Sequence, residues 1–272
     1  MGQDGSGRRR VDVPQLLRLL IRAHGGEARV WSVVRVPAPA VEAARQLPRE
    51  LLTLKRDRAR VTNRIKALLA LQGVVVPVDR DLVARLGLLR QWDGSPLPRE
   101  LQARLEREWA KVELLTTQIR ALEAAQRQAL RTGTDPAARQ VRQLIHLCGL
   151  GPTGAWLQVQ EFFSWRQFHN RREVAALAGL VPAPYDSGAT HREQGITKTG
   201  NRYMRTLAIE LAWGWLRYQP ASALSQWYER RFGQGSSRQR RIGIVALARR
   251  LLIALWEYLE TGAVPEGAAL KA

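Results

Sequence analysis

Two stretches of this chain repeat a pattern at alternating steps of four and three. Leu47, Leu51, Leu54, Arg58, Val61, Ile65, Leu68 and Gln72 make the first series, and Leu101, Leu105, Glu108, Val112, Leu115, Ile119, Leu122, Gln126 and Ala129 the second. That spacing is the a/d stripe of a coiled coil. A Gly- and Pro-punctuated connection separates them, so the two helices bury their stripes most economically on each other, as an antiparallel hairpin. Polar residues inside both stripes predict an imperfect coil or a second partner helix, and the region is expected to serve assembly into a homo-oligomer as well.

Elsewhere the pattern is that of shorter helices. Residues 1–10 are Gly- and Arg-rich and read as a disordered tail, after which Leu16, Leu17, Leu19, Leu20 and Ile21 make an apolar helix with Pro14 in its first turn. Trp31 to Val36 alternates weakly, as a strand would, until Pro37 and Pro39 stop it. Thr132 to Pro136 breaks the second long helix. Val141, Leu144, Ile145 and Leu147 then lead into Cys148-Gly149-Leu150-Gly151-Pro152, and Ala155 to Phe163 is helical again. Helix, Gly-x-Gly turn and helix is the pattern of a helix-hairpin-helix, whose amides at Gly149 and Gly151 grip a phosphate without reading bases. A tight turn with no ligand needs only glycine's freedom at positive φ. Tyr203–Tyr218, Ser222–Phe232 and Ile242–Tyr258 read as three more helices, ended by Pro220, Gly233 and Gly262. The expectation is a mainly α fold in three parts, 1–40, 41–131 and 137–265.

Charge narrows the partner. The 272 residues carry 43 Lys+Arg against 24 Asp+Glu, a formal charge of +19, and the excess is almost all arginine. Arginine forms bidentate pairs with phosphate and stacks on bases, so nucleic acid is the expected partner. Lys55, Arg56, Arg58, Arg60, Arg64 and Lys66 face only Asp57 on the first long helix, which makes that helix either a solvated face or a basic rail. Arg238, Arg240 and Arg241 precede the last helix, and Trp165 and Trp227 sit beside Arg166 and Arg230, where they can stack on bases. The single cysteine, Cys148, excludes an internal disulfide framework and suits a reducing cytoplasm. His24, His146, His169 and His191 are scattered. No run approaches the roughly 18 apolar residues of a membrane span.

One stretch concentrates the chemistry. Leu177 to Arg205 reads as a long Gly- and Pro-punctuated loop between helices, and such loops are usually functional. It offers Ser187 next to Gly188, followed by Thr197, Lys198, Gly200, Asn201, Arg202 and Arg205 at a helix start, a place suited to phosphate. The reading is a serine hydroxyl aimed at a nucleic-acid backbone. A serine is a weak nucleophile at neutral pH and needs a base, a metal or strong electrostatics. Asp186 and His191 are the candidate bases, and Lys198, Arg202 and Arg205 the candidate phosphate cations.

Cys148–Pro152, Leu177-Ala178-Gly179-Leu180-Val181-Pro182, Ser187-Gly188, Gly195-Ile196-Thr197-Lys198-Thr199-Gly200-Asn201-Arg202 and Arg205, in that order, resemble the C-terminal domain of the insertion-sequence one-ten family of transposases. Val30-Trp31-Ser32-Val33-Val34-Arg35-Val36-Pro37 and the basic coil resemble the family's middle region, and the likeness runs over roughly residues 11–262. The resemblance implies a DNA transposase that cuts and rejoins DNA through a serine, here Ser187, with a structured guide RNA and Mg²⁺. It implies an N-terminal RNase H-like α/β domain with four acidic metal ligands, of which residues 1–40 would be a remnant. The last ligand matches Asp12, while the one before it falls on Arg9 and the first two fall upstream. The resemblance therefore implies a chain truncated at its N-terminus, with an incomplete metal site. The competing expectation is a non-catalytic nucleic-acid-binding remnant of a mobile element. A tyrosine recombinase using Tyr185, Tyr203 or Tyr228 lacks a recognisable Arg/His cluster.

Overall fold

The computed structural model describes residues 13–28, 30, 36–187 and 190–271, with the backbone alone for 184–187 and 190–194. The expected tail, Asp12, Arg9 and most of the expected strand at Trp31–Val36 lie outside these residues. The chain divides into two units, Met1–Ala38 and Pro39–Ala272.

In the first unit, α1 (Val13–His24) leaves Leu16, Leu17, Leu20 and Ile21 more than half exposed. The helix ends where the amide of Gly25 bonds to the Ile21 carbonyl, and Arg22 Nε donates to Glu27 at 2.7 Å.

The second unit begins with α2 (Pro39–Ala44) and α3 (Gln46–Ala70). A connection containing α4 (Leu82–Arg85) and a 3₁₀ turn at Leu86–Leu88 leads to α5 (Arg99–Thr132). α3 and α5 pack side by side. Lys55 pairs with Glu123 at 2.8 Å and Arg64 with Glu108 at 3.0 Å, so partner numbers fall along α5 as they rise along α3 and the helices are antiparallel. On α5 the stripe residues Leu105, Glu108, Val112, Ile119 and Gln126 are buried. On α3 the burial passes from Ile65 to Leu69, with Leu68 only half-buried. A helix of 3.6 residues per turn drifts past a 3.5-residue repeat, and this drift carries Leu69 inward. The connection is no bare loop, because Val74, Leu82, Leu86 and Leu97 fill the end of the hairpin core.

The C-terminal helices form a separate core. α6 (Pro136–Ile145) is capped by Asp135, whose side chain accepts from the Ala138 amide at 2.9 Å. α7 (Pro152–Gln158) runs on into a π-type turn, Val159–Phe163, and α8 (Arg171–Leu177) follows a cap at Asn170. Beyond the ribbon described next lie α9 (Arg202–Tyr218), α10 (Ala223–Tyr228) with a second π-type turn, Glu229–Gly233, and α11 (Ser237–Thr261). α11 packs against α6, α8, α9 and α10 and supplies Ile244, Leu247, Leu251, Leu252 and Leu255 to the core. It starts five residues before the expected Ile242, because Ser236 and Gln239 form a reciprocal capping box that carries a polar, arginine-rich first turn. At the centre Trp215 is 1% exposed, and its Nε1 donates to Ser222 Oγ at 2.8 Å.

The expected loop between α8 and α9 is largely an antiparallel ribbon, β1 (Pro182–Ser187) and β2 (Thr190–Ile196), with Pro182 paired to Ile196 and Ser187 to Thr190. Prolines are tolerated here because each strand of a two-stranded ribbon has an unpaired edge. The fold is mainly α, as the apolar pattern requires.

Candidate functional site

Two sequence strings that look unrelated, Leu177–Pro182 and Gly195–Arg202, are zipped together by backbone bonds at the foot of the ribbon. The Thr197 amide bonds to the Val181 carbonyl at 3.0 Å, Lys198 to Gly179 at 3.3 Å and Asn201 to Leu177 at 3.0 Å. The approach is close enough to exclude side chains. A Cβ on Gly179 would stand 2.0 Å from the Thr199 oxygen, and one on Gly200 would stand 2.1 Å from the Leu177 oxygen. Both glycines also have positive φ, 67° and 84°, as does Lys198 at 56°. A lysine held in the left-handed region is strained, and such strain collects at functional sites. Arg205 Nη1 clamps the junction through the Ala178 and Thr199 carbonyls, both at 3.3 Å.

A buried ion pair anchors that junction to the hairpin. The π-type turn in the α7 segment turns Glu161 inward, where its side chain is 1% exposed. Arg49 of α3 forks onto it, with Nη2 donating to Oε2 at 3.1 Å, and Asn201 Nδ2 donates to the same oxygen at 3.1 Å. Asn201 at the same time caps α9, its Oδ1 accepting from the Met204 amide at 3.0 Å. Arg49 also reaches Glu42 at 2.7 Å and lies over the Tyr203 ring at 5.5 Å. Glu161 first, and Glu42 after it, hold the Arg49 guanidinium in its charged form more firmly than usual. Next to this pair, Trp165 is flanked by Arg45 at 4.5 Å and Arg166 at 4.3 Å. Burial, and then the charge of Arg45, pull the Arg166 guanidinium below its ordinary value.

On the other side of the junction opens a groove of about 1130 Å³. Its walls are the start of α8, the foot of the ribbon, α10 and one face of α11. Arg171, Arg172, Lys198, Arg238, Arg241, Arg249 and Arg250 line it, against Glu257 alone. Among the described residues none of these seven cations pairs with a carboxylate. Leu180, Ile196, Trp227, Ile242, Val245 and Ile253 lie between them. Uncompensated cations on both walls of a cleft raise the local concentration of a polyanion.

Of the residues singled out from sequence, Lys198, Arg238 and Arg241 meet in this groove. Arg240 and Arg202 are exposed but are not among its lining, and Arg205 is spent on the junction. On α3, Arg56 is exposed, Arg60 pairs with Asp57 at 3.1 Å and Arg64 pairs with Glu108. Gly149 has φ 85° and packs against Tyr218, while Gly151 is the exposed N-cap of α7. The C-terminal segment closes on this turn, with the Cys148 amide bonded to the Ala269 carbonyl at 3.0 Å and Lys271 Nζ to the Leu150 carbonyl at 2.7 Å. Ser187 ends β1, and the side chains of Asp186, Ser187 and His191 lie outside the described ones, as does Asp12. Nothing in the sequence singles out Arg171, Arg172, Arg45, Arg49 or Glu161, and Arg249 and Arg250 show there only as members of the arginine-rich run from Glu229 to Arg250. The two Arg-Arg pairs were visible as charge, but nothing local shows that they share a cleft.

A family model described as "Transposase IS116/IS110/IS902 family" matches residues 141–227. The protein named transposase y4rJ in Sinorhizobium fredii is 43% identical over 272 residues, which span 96% of this chain and 68% of that protein. The chain belongs to the IS116/IS110/IS902 transposase family. A family 20 transposase of Pseudomonas aeruginosa is 27% identical over 92% of this chain and 76% of its own length. The transposase for insertion sequence element IS1328 of Yersinia enterocolitica is 27% identical over 78% of this chain and 61% of its own length. As a transposase of an insertion sequence, the chain has DNA as its partner. The matched segment takes in the ribbon, the Gly179–Gly200 junction, Glu161 and Trp227, whereas the arginines of α11 fall outside it. No helix among the described residues is long and apolar enough to cross a membrane.

Proposed function

We propose that this transposase seats a DNA backbone in the cationic groove and cuts and rejoins it through Ser187. One observation carries the reading: the ribbon that ends at Ser187 is rooted, at Pro182, Gly195 and Ile196, in the wall of that groove. A strand lying there has its phosphates neutralised by Lys198 and the arginines beside the serine-bearing ribbon. In the reaction the serine oxygen forms a bond to phosphorus, the sugar oxygen leaves with the proton that the serine gives up, and the phosphoserine link conserves the energy for rejoining. Cations close to the phosphate stabilise charge on its oxygens as the attack proceeds.

The family resemblance adds Mg²⁺ and a guide RNA to this proposal. A divalent ion would stabilise the leaving oxygen. The described residues contain no group of three or more His, Cys, Asp or Glu that could hold a metal, and Asp12 lies outside them. A guide RNA would meet the same arginines by the same phosphate chemistry.

The test is excision and joining of a plasmid-borne copy of the element in cells. Ser187→Ala should abolish joining while leaving DNA binding within about twofold, because one hydroxyl adds little to an interface of many phosphates. Joining that survives Ser187→Ala would refute the assignment. Binding without joining would favour the second reading, a nucleic-acid-binding remnant.

A further inference from the structure

We propose that the groove takes an unpaired nucleic-acid strand, with bases turned inward onto Trp227 and phosphates outward on the arginine rims. This rests on the reading of the groove as the nucleic-acid seat and adds the form of the polymer it accepts. A duplex keeps its bases stacked and paired and offers a protein mainly its sugar-phosphate ridges. Cations alone would suffice for that. This groove instead has an apolar floor between its cationic rims, with Ile242 55% exposed and Trp227, Val245 and Ile253 half-buried. Apolar surface held open between rows of positive charge is matched by a polymer with both phosphates and bare aromatic faces.

Trp227 is built as a platform. The Arg250 guanidinium lies 4.0 Å from its ring centroid, and the Phe232 ring meets it edge-on at 5.7 Å. These contacts pin the indole, so stacking a base on it costs little ordering. A planar guanidinium against an indole can itself be covered by a base, which extends the stack while the charge serves a neighbouring phosphate. Lys198 at one wall and Arg241 and Arg249 on α11 place cations around the floor.

The experiment is fluorescence anisotropy of the full chain with labelled oligo(dT) and with a mixed-sequence duplex of equal length, at several salt concentrations. Trp227→Ala is expected to weaken oligo(dT) by roughly tenfold and the duplex by less than about twofold, with Trp227→Phe restoring most of the loss. Arg241→Ala should weaken both and lower the salt slope by about 1. Should Trp227→Ala fold poorly, Ile242→Ser, which leaves the charge unchanged at an exposed floor position, carries the same expectation of selective loss of oligo(dT). Duplex bound with oligo(dT) unaffected by either floor variant would overturn this inference and leave the proposed function standing. Displacement of oligo(dT) by oligoglutamate at equal charge would also overturn it, since charge alone would then fill the groove. Failure to bind any nucleic acid would overturn both.

Discussion

Asn201 Nδ2 donates to Glu161 Oε2 at 3.1 Å, and through that carboxylate the turn before α9 is tied to Arg49 on the hairpin. Removing Glu161 leaves a partly buried guanidinium without its main partner and an amide without its acceptor. Glu161→Ala should cost about 3–5 kcal/mol in urea unfolding, the usual loss when one member of a buried pair is deleted. Asn201→Ala should cost less, about 1–2 kcal/mol, as a lost cap. Hydrogen exchange should show faster exchange at Thr197 and Asn201 in both variants, and also in Arg49→Ala, whose site is far away in sequence. Unchanged exchange at those amides in Arg49→Ala would show that the tie does not hold the turn.

The two junction glycines should be the least replaceable residues near the ribbon. Gly200→Ala sets a Cβ 2.1 Å from a carbonyl oxygen, so backbone must move, and the positive φ adds strain. Gly195→Ala has φ 81° with open space around it and meets only the backbone cost, about 1–2 kcal/mol. Denaturant midpoints should therefore rank wild type above Gly195→Ala, and Gly195→Ala well above Gly200→Ala. Equal losses would mean that the close approach at Leu177 does not form.

Acid should loosen the hairpin. Burial alone would raise the Glu108 carboxyl, but Lys111 at 3.0 Å and Arg64 at 3.0 Å hold it below its ordinary 4.5. A lowered folded value means that the stabilisation is fully present above pH 4.5 and is lost as pH falls through the lowered value. Thermal melts should show a loss below that pH which is shallower in Glu108→Gln. An identical pH dependence in the two proteins would remove Glu108 as its source.

Not all arginines should count equally in nucleic-acid binding. If six or more phosphates are neutralised, affinity should fall by about 10³–10⁵ between roughly 50 and 200 mM salt. Arg249→Ala should reduce that slope by about 1. Arg64→Ala should leave it nearly unchanged, because Arg64 is paired with Glu108 across the hairpin. An equal effect from Arg64→Ala would place the polymer along α3 as well.

The proposed homo-oligomer is best probed away from the stripe. Leu115 packs against the hairpin's own core, so Leu115→Asp would unfold it rather than report on assembly. Leu114 is 59% exposed and Trp92, in the connection, is 82% exposed. If the hairpin assembles, Leu114→Ser or Trp92→Ser should lower the mass seen by light scattering without changing the melt. A wild-type monomer at tens of micromolar would end the proposal.

The apolar spacing of this chain by itself determined most of its helices, because a helix that must bury one stripe writes that stripe into its sequence every three or four residues. Leu105, Val112 and Ile119 were legible in this way, and so were Gly262 as the stop of α11 and the arginine excess that points to nucleic acid. The ribbon was not, since Pro182 and Pro184 argue against strands and the pairing that stabilises β1 comes from residues beyond the turn. Only the tertiary structure decided what Gly179 and Gly200 are for, because each is required by a carbonyl from a distant segment. The same holds for Glu161, an ordinary acid in sequence, which becomes a tie once a π-type turn brings it between Arg49 and Asn201. The groove follows the same logic. Charge adds up along the sequence, but a cleft exists only where α8, the foot of the ribbon and α11 converge, and that convergence is fixed by the packing of α11 at the centre of the helical core.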